Sequence, residues 1–87
     1  MEAFLKAWDA LPDGNFEGLY GDRRYGVTKT ERSEKRQAWL WAEERGGPDR
    51  ISANLYRLKS GAQLKPCEMP AEKVINFVLG VKVLEEF

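Results

Sequence analysis

Apolar residues near the start of the chain recur at helical spacing. Phe4 and Leu5 are followed by Trp8 and Leu11, and alanines occupy several of the positions between them. Positions three and four apart lie on one face of a helix, so this pattern predicts an amphipathic helix over residues 2 to 11. The Pro-Asp-Gly sequence that follows is expected to end the helix, because proline interrupts helical hydrogen bonding.

In the middle of the chain the pattern changes to alternation, which is typical of strands. The clearest strand runs from Arg36 to Glu43, where Trp39 and Trp41 point to one side and smaller apolar residues to the other. Turn signals such as Gly46-Gly47-Pro48-Asp49 separate the strands. The other predicted strands are 15–20, which its glycines weaken, 23–30, 51–58 and a short one around 63–67.

The last segment of the chain again has helical periodicity. Met69-Pro70-Ala71-Glu72 suits the start of a helix, since proline is tolerated in the first turn and glutamate favours the positive end of the helix dipole. From Val74 onward the apolar residues are too many for one stripe. Because a single sheet does not need so much apolar surface, we expect residues 74–87 to form a homodimer interface.

These elements predict an α+β fold, an antiparallel meander sheet of three to four strands with an N-terminal helix and a C-terminal helix. We expect residues 1–87 to form a single domain, because the chain is short and no linker divides it. In outline, a sheet of about four strands followed by a helix is similar to the architecture of Whirly-type single-stranded DNA binders, which dimerise. The similarity is one of topology, with no motif in common.

Composition supports a folded, soluble protein. The hydrophobic fraction is 43%, and the chain contains three Trp, three Tyr and four Phe, whereas disordered chains have few aromatic residues. No window reaches the roughly eighteen consecutive apolar residues of a membrane-spanning helix. A single cysteine, Cys67, excludes an internal disulfide, and the first residues lack the features of a leader. A cytoplasmic location is therefore expected.

Charge is distributed unevenly although the formal net charge is zero. Residues 22 to 65 hold eleven basic and six acidic residues, an excess of +5, and the two ends carry the compensating negative charge. A basic middle between acidic ends indicates an anionic partner. Lysine and arginine also prevent strand edges from pairing with other chains, which would explain the same asymmetry without a ligand.

The chain offers little chemistry for catalysis. It contains no histidine, so the commonest general base and metal ligand is missing, and no phosphate-binding or dinucleotide motif occurs. We therefore expect no metal, no cofactor and a binding module rather than an enzyme. The single candidate nucleophile is Cys67. A thiolate there would suit a single-cysteine redox enzyme of the methionine sulfoxide reductase type, with Trp39 and Trp41 around the substrate methyl and Glu68 as the acid.

Binding is the better-supported function. Trp39 and Trp41 share one side of their strand, and bases of single strands stack on such rings while lysine and arginine neutralise phosphates. We therefore predict single-stranded nucleic-acid binding through a basic, aromatic face of the sheet. The expected interface residues are Arg23, Tyr25, Lys29, Arg36, Trp39, Trp41 and Tyr56. The alternative is a protein–protein interaction domain in which Trp39 and Trp41 belong to the core.

Overall fold

The computed structural model describes residues 1–84, which form two helices and six strands. In chain order the elements are α1 (Glu2–Ala10), β1 (Gly14–Tyr20), β2 (Arg23–Arg32), β3 (Gln37–Glu44), β4 (Arg50–Leu58), β5 (Gly61–Pro66), α2 (Ala71–Gly80) and β6 (Lys82–Leu84). The predicted α+β class with an antiparallel sheet is confirmed. The expected strand number of three to four is wrong, because six strands pair. No helix in the described part of the chain is long and apolar enough to cross a membrane.

All six strands belong to one antiparallel sheet, in the order β5-β4-β3-β2-β1-β6. The first five form a meander, since each pairs with the strand that follows it in the chain. Gly21 and Asp22 connect β1 to β2 with φ angles of 55° and 65°. Two left-handed residues make the tight hairpin turn that matches strand twist, and glycine and aspartate tolerate this conformation. The weak strand predicted over 15–20 is thereby a full member of the sheet.

The end of the chain differs from a continuous helix. α2 ends at Gly80, Val81 adopts extended backbone angles, and β6 then pairs with β1. Gly18 of β1 permits this corner, because a Cβ atom there would lie 2.6 Å from Cγ2 of Val81. The segment 74–87, predicted as a helical interface, is thus a helix followed by a strand, and its residues 85–87 lie outside the described residues.

Both helices pack on the same face of the sheet, which we call the covered face. Along each strand, side chains that point to the covered face alternate with side chains that point to the opposite face, which we call the open face. Phe4 and Trp8 of α1 and Phe77 of α2 join the strand residues of the covered face in one core. The buried apolar residues of that core are Phe4, Trp8, Leu11, Tyr25, Val27, Ala38, Leu40, Ala42, Ile51, Ala53, Leu55, Val74, Phe77 and Val78.

Ion pairs connect each helix to the sheet. Arg57 of β4 lies 2.6 Å from Asp9 of α1, and its hydrogen bond lowers the pKa of Asp9. Lys73 of α2 lies 2.7 Å from Asp49, in the turn before β4. Burial opposes the ionisation of Asp49, yet hydrogen bonds from Lys73 and Tyr25 hold its pKa below the usual value. Both aspartates therefore favour the packed position of the helices while they are ionised.

Candidate functional site

Two tryptophans form a ridge on the open face. Trp39 and Trp41 project from β3 with their ring centroids 6.2 Å apart and 17° between the ring planes. Short polar side chains flank them in register, with Thr30 and Asn54 on either side of Trp39. Because neither helix covers this face, Trp39 remains 37% exposed, and Trp41 is half-buried. We call the two residues the tryptophan ridge.

Two grooves adjoin the tryptophan ridge, and their walls differ in charge. The first groove has a volume of about 350 Å³ and lies beside Trp39 and Tyr56. Its other walls are Thr30, Arg32, Gln37, Ala38 and Asn54. The second groove, of about 440 Å³, lies beside Trp41 and is bordered by Glu17, Glu43 and Arg45 among others. The first groove thus has neutral and basic walls, whereas carboxylates border the second.

The open face carries an excess of positive charge. Strand register and the position of Arg45 assign it six basic and two acidic side chains within residues 1–84. The basic ones are Arg24, Arg32, Arg45, Arg50, Lys65 and Lys82, and the acidic ones are Glu17 and Glu43. A surface with this balance attracts an anionic ligand and speeds its approach.

Two of these cations already have partners on the open face. The guanidinium of Arg45 lies over Gly26, where no side chain intervenes, and forms an ion pair with Glu17. The hydrogen bond from Arg45 lowers the pKa of Glu17. Arg50 lies over the ring of Trp41, with its Cζ atom 5.8 Å from the ring centroid. The basic charge beside the second groove is therefore partly compensated, and one ring of the ridge has a cation against it.

The structure places three of the seven predicted interface residues together. Trp39, Trp41 and Tyr56 lie on the open face, and Tyr56 shares the first groove with Trp39. Arg36 is exposed in the turn between β2 and β3. Neither tryptophan belongs to the core beneath the helices, so the expected core placement of both is wrong, whereas protein–protein interaction itself stays a prediction.

The other three predicted residues, Arg23, Tyr25 and Lys29, do not share that surface. They lie on the covered face, because Lys29 pairs with Leu40 and not with a tryptophan. Arg23 is exposed there and forms an ion pair with Glu44 at 3.6 Å. The expectation that these residues join the tryptophans is therefore wrong, for a reason of strand register.

Tyr25 is a core residue with its hydroxyl in a polar network. It is 1% exposed and packs edge-on against Tyr20 and Phe77. Its hydroxyl donates a hydrogen bond of 2.7 Å to Asp49. Burial and this bond raise the pKa of Tyr25 to about 12. The ring is covered on both sides and offers no face to a base.

Lys29 holds the end of α1 to the sheet. The side chain is 2% exposed, and its Nζ atom donates to the carbonyl oxygens of Trp8 at 2.9 Å and Leu11 at 2.6 Å. Asp13 lies 3.5 Å from the same atom. The last carbonyl groups of a helix lack intrahelical partners, and a basic group is favourable at the negative end of the helix dipole. Lys29 therefore caps α1 from the neighbouring strand.

Cys67 directly follows β5 and lies on the open-face side of the sheet. Its backbone N–H donates to the carbonyl oxygen of Ser52 at 2.9 Å, and its thiol is exposed. The amide nitrogen of Asn54 lies 3.9 Å from Sγ. An amide neither takes nor supplies a proton near neutral pH, so this contact gives the thiol no acid or base partner. Within residues 1–84, no group of three His, Cys, Asp or Glu residues could hold a metal.

Several residues of the first groove are not predicted from the sequence pattern. Asn54 lies opposite Trp39, and Gln37 lies opposite Tyr56 and Arg32. Residues opposite one another on neighbouring strands share a face, so the register would have identified all of them. Alternation within one strand does not reveal that register.

No family model, curated protein or solved structure matches this chain. The open face is therefore the basis on which a function is proposed.

Proposed function

We propose that the protein is a non-enzymatic binding module for single-stranded nucleic acid and that the open face is its binding surface. The tryptophan ridge is the observation that carries this proposal. Two nearly parallel indole rings lie uncovered by either helix, on a face that has six basic and two acidic side chains within residues 1–84. Large aromatic residues of small domains are usually buried, so an exposed tryptophan beside a half-buried one favours a ligand with flat apolar surfaces.

A single strand of nucleic acid complements this surface in shape and charge. Its bases have flat faces, and stacking one base on an aromatic side chain contributes about 1 to 3 kcal/mol. Its phosphates release counterions when they meet basic side chains such as Arg32 and Lys65. In a duplex the base faces are already stacked on one another, so the tryptophan ridge would not reach them. The proposal is therefore restricted to single strands.

Charge argues against a second copy of this chain on the open face. Two such faces would place two excesses of positive charge against each other, and like charges disfavour association. Protein–protein interaction is the competing proposal, and it requires a partner whose surface is acidic as well as apolar. Salt separates the two, because phosphate contacts make affinity fall steeply with salt, whereas an apolar protein interface responds little.

The proposed activity is tested by titrating the protein into a labelled single-stranded oligonucleotide of about twelve nucleotides and into the matching duplex. We expect the single strand to bind more tightly, with a dissociation constant that rises steeply between about 50 and 200 mM salt. Trp39→Ala should weaken binding by about tenfold, equivalent to about 1.4 kcal/mol, and the double variant Trp39→Ala with Trp41→Ala by at least as much.

Leu79→Ala is the matched control, because Leu79 is an exposed apolar residue on α2 and not on the open face. It should leave the dissociation constant unchanged. Circular dichroism establishes that each variant is folded. An unchanged dissociation constant in the variant that lacks both tryptophans, or one that does not depend on salt concentration, would contradict the proposal.

The homodimer through residues 74–87 and the cytoplasmic location stay predictions from the sequence. Leu79 and Val83 are exposed apolar residues within that segment. Light scattering over a range of protein concentrations tests the dimer, and a monomer mass at every concentration would refute it. The nucleic-acid proposal does not depend on the result, since the open face lies within one chain.

A further inference from the structure

We propose that the first groove holds one unpaired base, stacked on Trp39 and recognised along its edge by the amides of Gln37 and Asn54. This inference rests on the proposed function and adds to it a site of defined size and base preference. It implies that the open face binds a strand mainly through one inserted base, with the neighbouring nucleotides held by their phosphates.

The availability of ring faces points to a single stacking position. One face of the Trp41 ring is turned to Trp39. Arg50, which is opposite Glu43 in the next row of the sheet, lies over the same ring. Within residues 1–84, no cation lies over the ring of Trp39. Tyr56 and Gln37 lie one step beyond it, and the first groove occupies that space. A base in the groove would therefore have an indole on one side and Tyr56 near its other side.

The walls of the groove carry groups that can recognise a base edge. The amides of Gln37 and Asn54 each present a donor and an acceptor, and both residues line the groove. The contact of the Asn54 amide nitrogen with Sγ of Cys67 is long, at 3.9 Å, and leaves the oxygen of Asn54 for a ligand. An unpaired base of any kind presents a donor next to an acceptor on its edge, and the bidentate pairing typical of asparagine and glutamine is with adenine. Adenine is therefore the expected base.

Charge places the adjoining phosphates at the same groove. The two rows of open-face residues that cross the sheet at Gln37 and Trp39 contain Arg32 and Lys65 and no carboxylate. The second groove, in contrast, is bordered by Glu17 and Glu43. Arg45, which also borders the second groove, is already paired with Glu17. The carboxylates there therefore disfavour a phosphate and with it a second base site at Trp41.

The test uses an abasic oligonucleotide, which has the sugar–phosphate backbone without bases, and versions with one or two adjacent adenines at its centre. We expect one adenine to tighten binding by about tenfold over the abasic strand, and the second to add less than about twofold. A single guanine, cytosine or thymine should give a smaller gain than adenine. An equal gain from each added base would overturn the inference and leave the proposed function intact. Failure of an ordinary single strand to bind would refute the proposed function itself.

Variants of the amides test recognition separately from stacking. Gln37→Ala and Asn54→Ala should each remove most of the preference for adenine, while affinity for the abasic strand changes less than about twofold. Gln63→Ala is the matched control, because Gln63 is an exposed glutamine of the same row that does not line the groove. Trp39→Ala should remove the gain from any base. If the preference for adenine survives both amide variants, the inference is wrong.

Discussion

The Nζ atom of Lys29 lies within hydrogen-bond distance of two carbonyl oxygens at the end of α1. Lys29→Met keeps the aliphatic part of the side chain and removes the donor, so both carbonyl groups lose a buried partner. We expect the free energy of unfolding to fall by about 1 to 3 kcal/mol, measured by urea denaturation. Lys6→Met, at an exposed lysine of α1, should change it by less than about 0.5 kcal/mol.

The same variant separates a structural lysine from a ligand-binding one. Because Lys29 lies on the covered face, Lys29→Met should retain the affinity of the folded protein for a single strand. The sequence pattern predicts Lys29 at the interface, and a large loss of affinity without loss of stability would restore that prediction. A role for a basic residue of this chain can therefore be inferred only when the face of the sheet on which it lies is known, as well as its charge.

At the scale of the elements, local patterns predicted what depends on local geometry. Alternation within β3 correctly separated Trp39 and Trp41 from the alanines and leucine between them. It did not establish whether Lys29 lies beside Leu40 or beside a tryptophan, because that depends on how the β2–β3 turn aligns the strands. A shift of one residue would exchange the two faces of β2. The fold class was therefore predictable. Of the seven predicted interface residues, however, three lie on the covered face and one lies in the β2–β3 turn.

The strand β6 was missed because its formation depends on a distant glycine. A strand of three residues directly after a helix is too short to give a periodic signal. Only the close approach of Val81 to Gly18 shows how the chain can turn onto the edge of β1. A short apolar segment after a helix reads equally well as its last turn. The apolar pattern from Val74 onward accordingly predicts a helix that continues past Gly80.

The corner between α2 and β6 should be sensitive to volume at Gly18. Gly18→Ala places a methyl group 2.6 Å from Cγ2 of Val81, so Val81 has to move, and we expect a loss of about 1 to 3 kcal/mol in the free energy of unfolding. Val81→Ala removes the clashing atom. In that background Gly18→Ala should cost less, and the difference is measured by a double-mutant cycle. Equal costs in the two backgrounds would show that the contact does not determine the effect.

At the scale of the whole molecule, the groups that stabilise the fold and the proposed binding surface lie on opposite sides of the sheet. The helices, the core and the ion pairs of Asp9 and Asp49 lie on or beside the covered face, while the tryptophan ridge lies on the open face. Substitutions on the open face therefore change a surface that contributes few residues to the hydrophobic core. This division is the reason for expecting Trp39→Ala to affect affinity much more than stability, which is unusual for a tryptophan in a small domain.

The ion pairs of Asp9 and Asp49 also predict how stability depends on pH. The hydrogen bond from Arg57 lowers the pKa of Asp9, and Asp49 has a lowered pKa despite its burial. A carboxyl group whose pKa is lower in the folded state contributes stability above its unfolded pKa of about 4, and this contribution is lost as pH falls through the folded pKa. We expect the urea midpoint to be nearly constant from about pH 7 to 5 and to fall below about pH 4. Asp9→Asn with Asp49→Asn should lower the midpoint at neutral pH and flatten the acid limb, since the missing carboxylates no longer titrate. An acid limb of unchanged steepness in the double variant would assign the effect to other carboxylates, such as Glu17, whose pKa the hydrogen bond from Arg45 lowers.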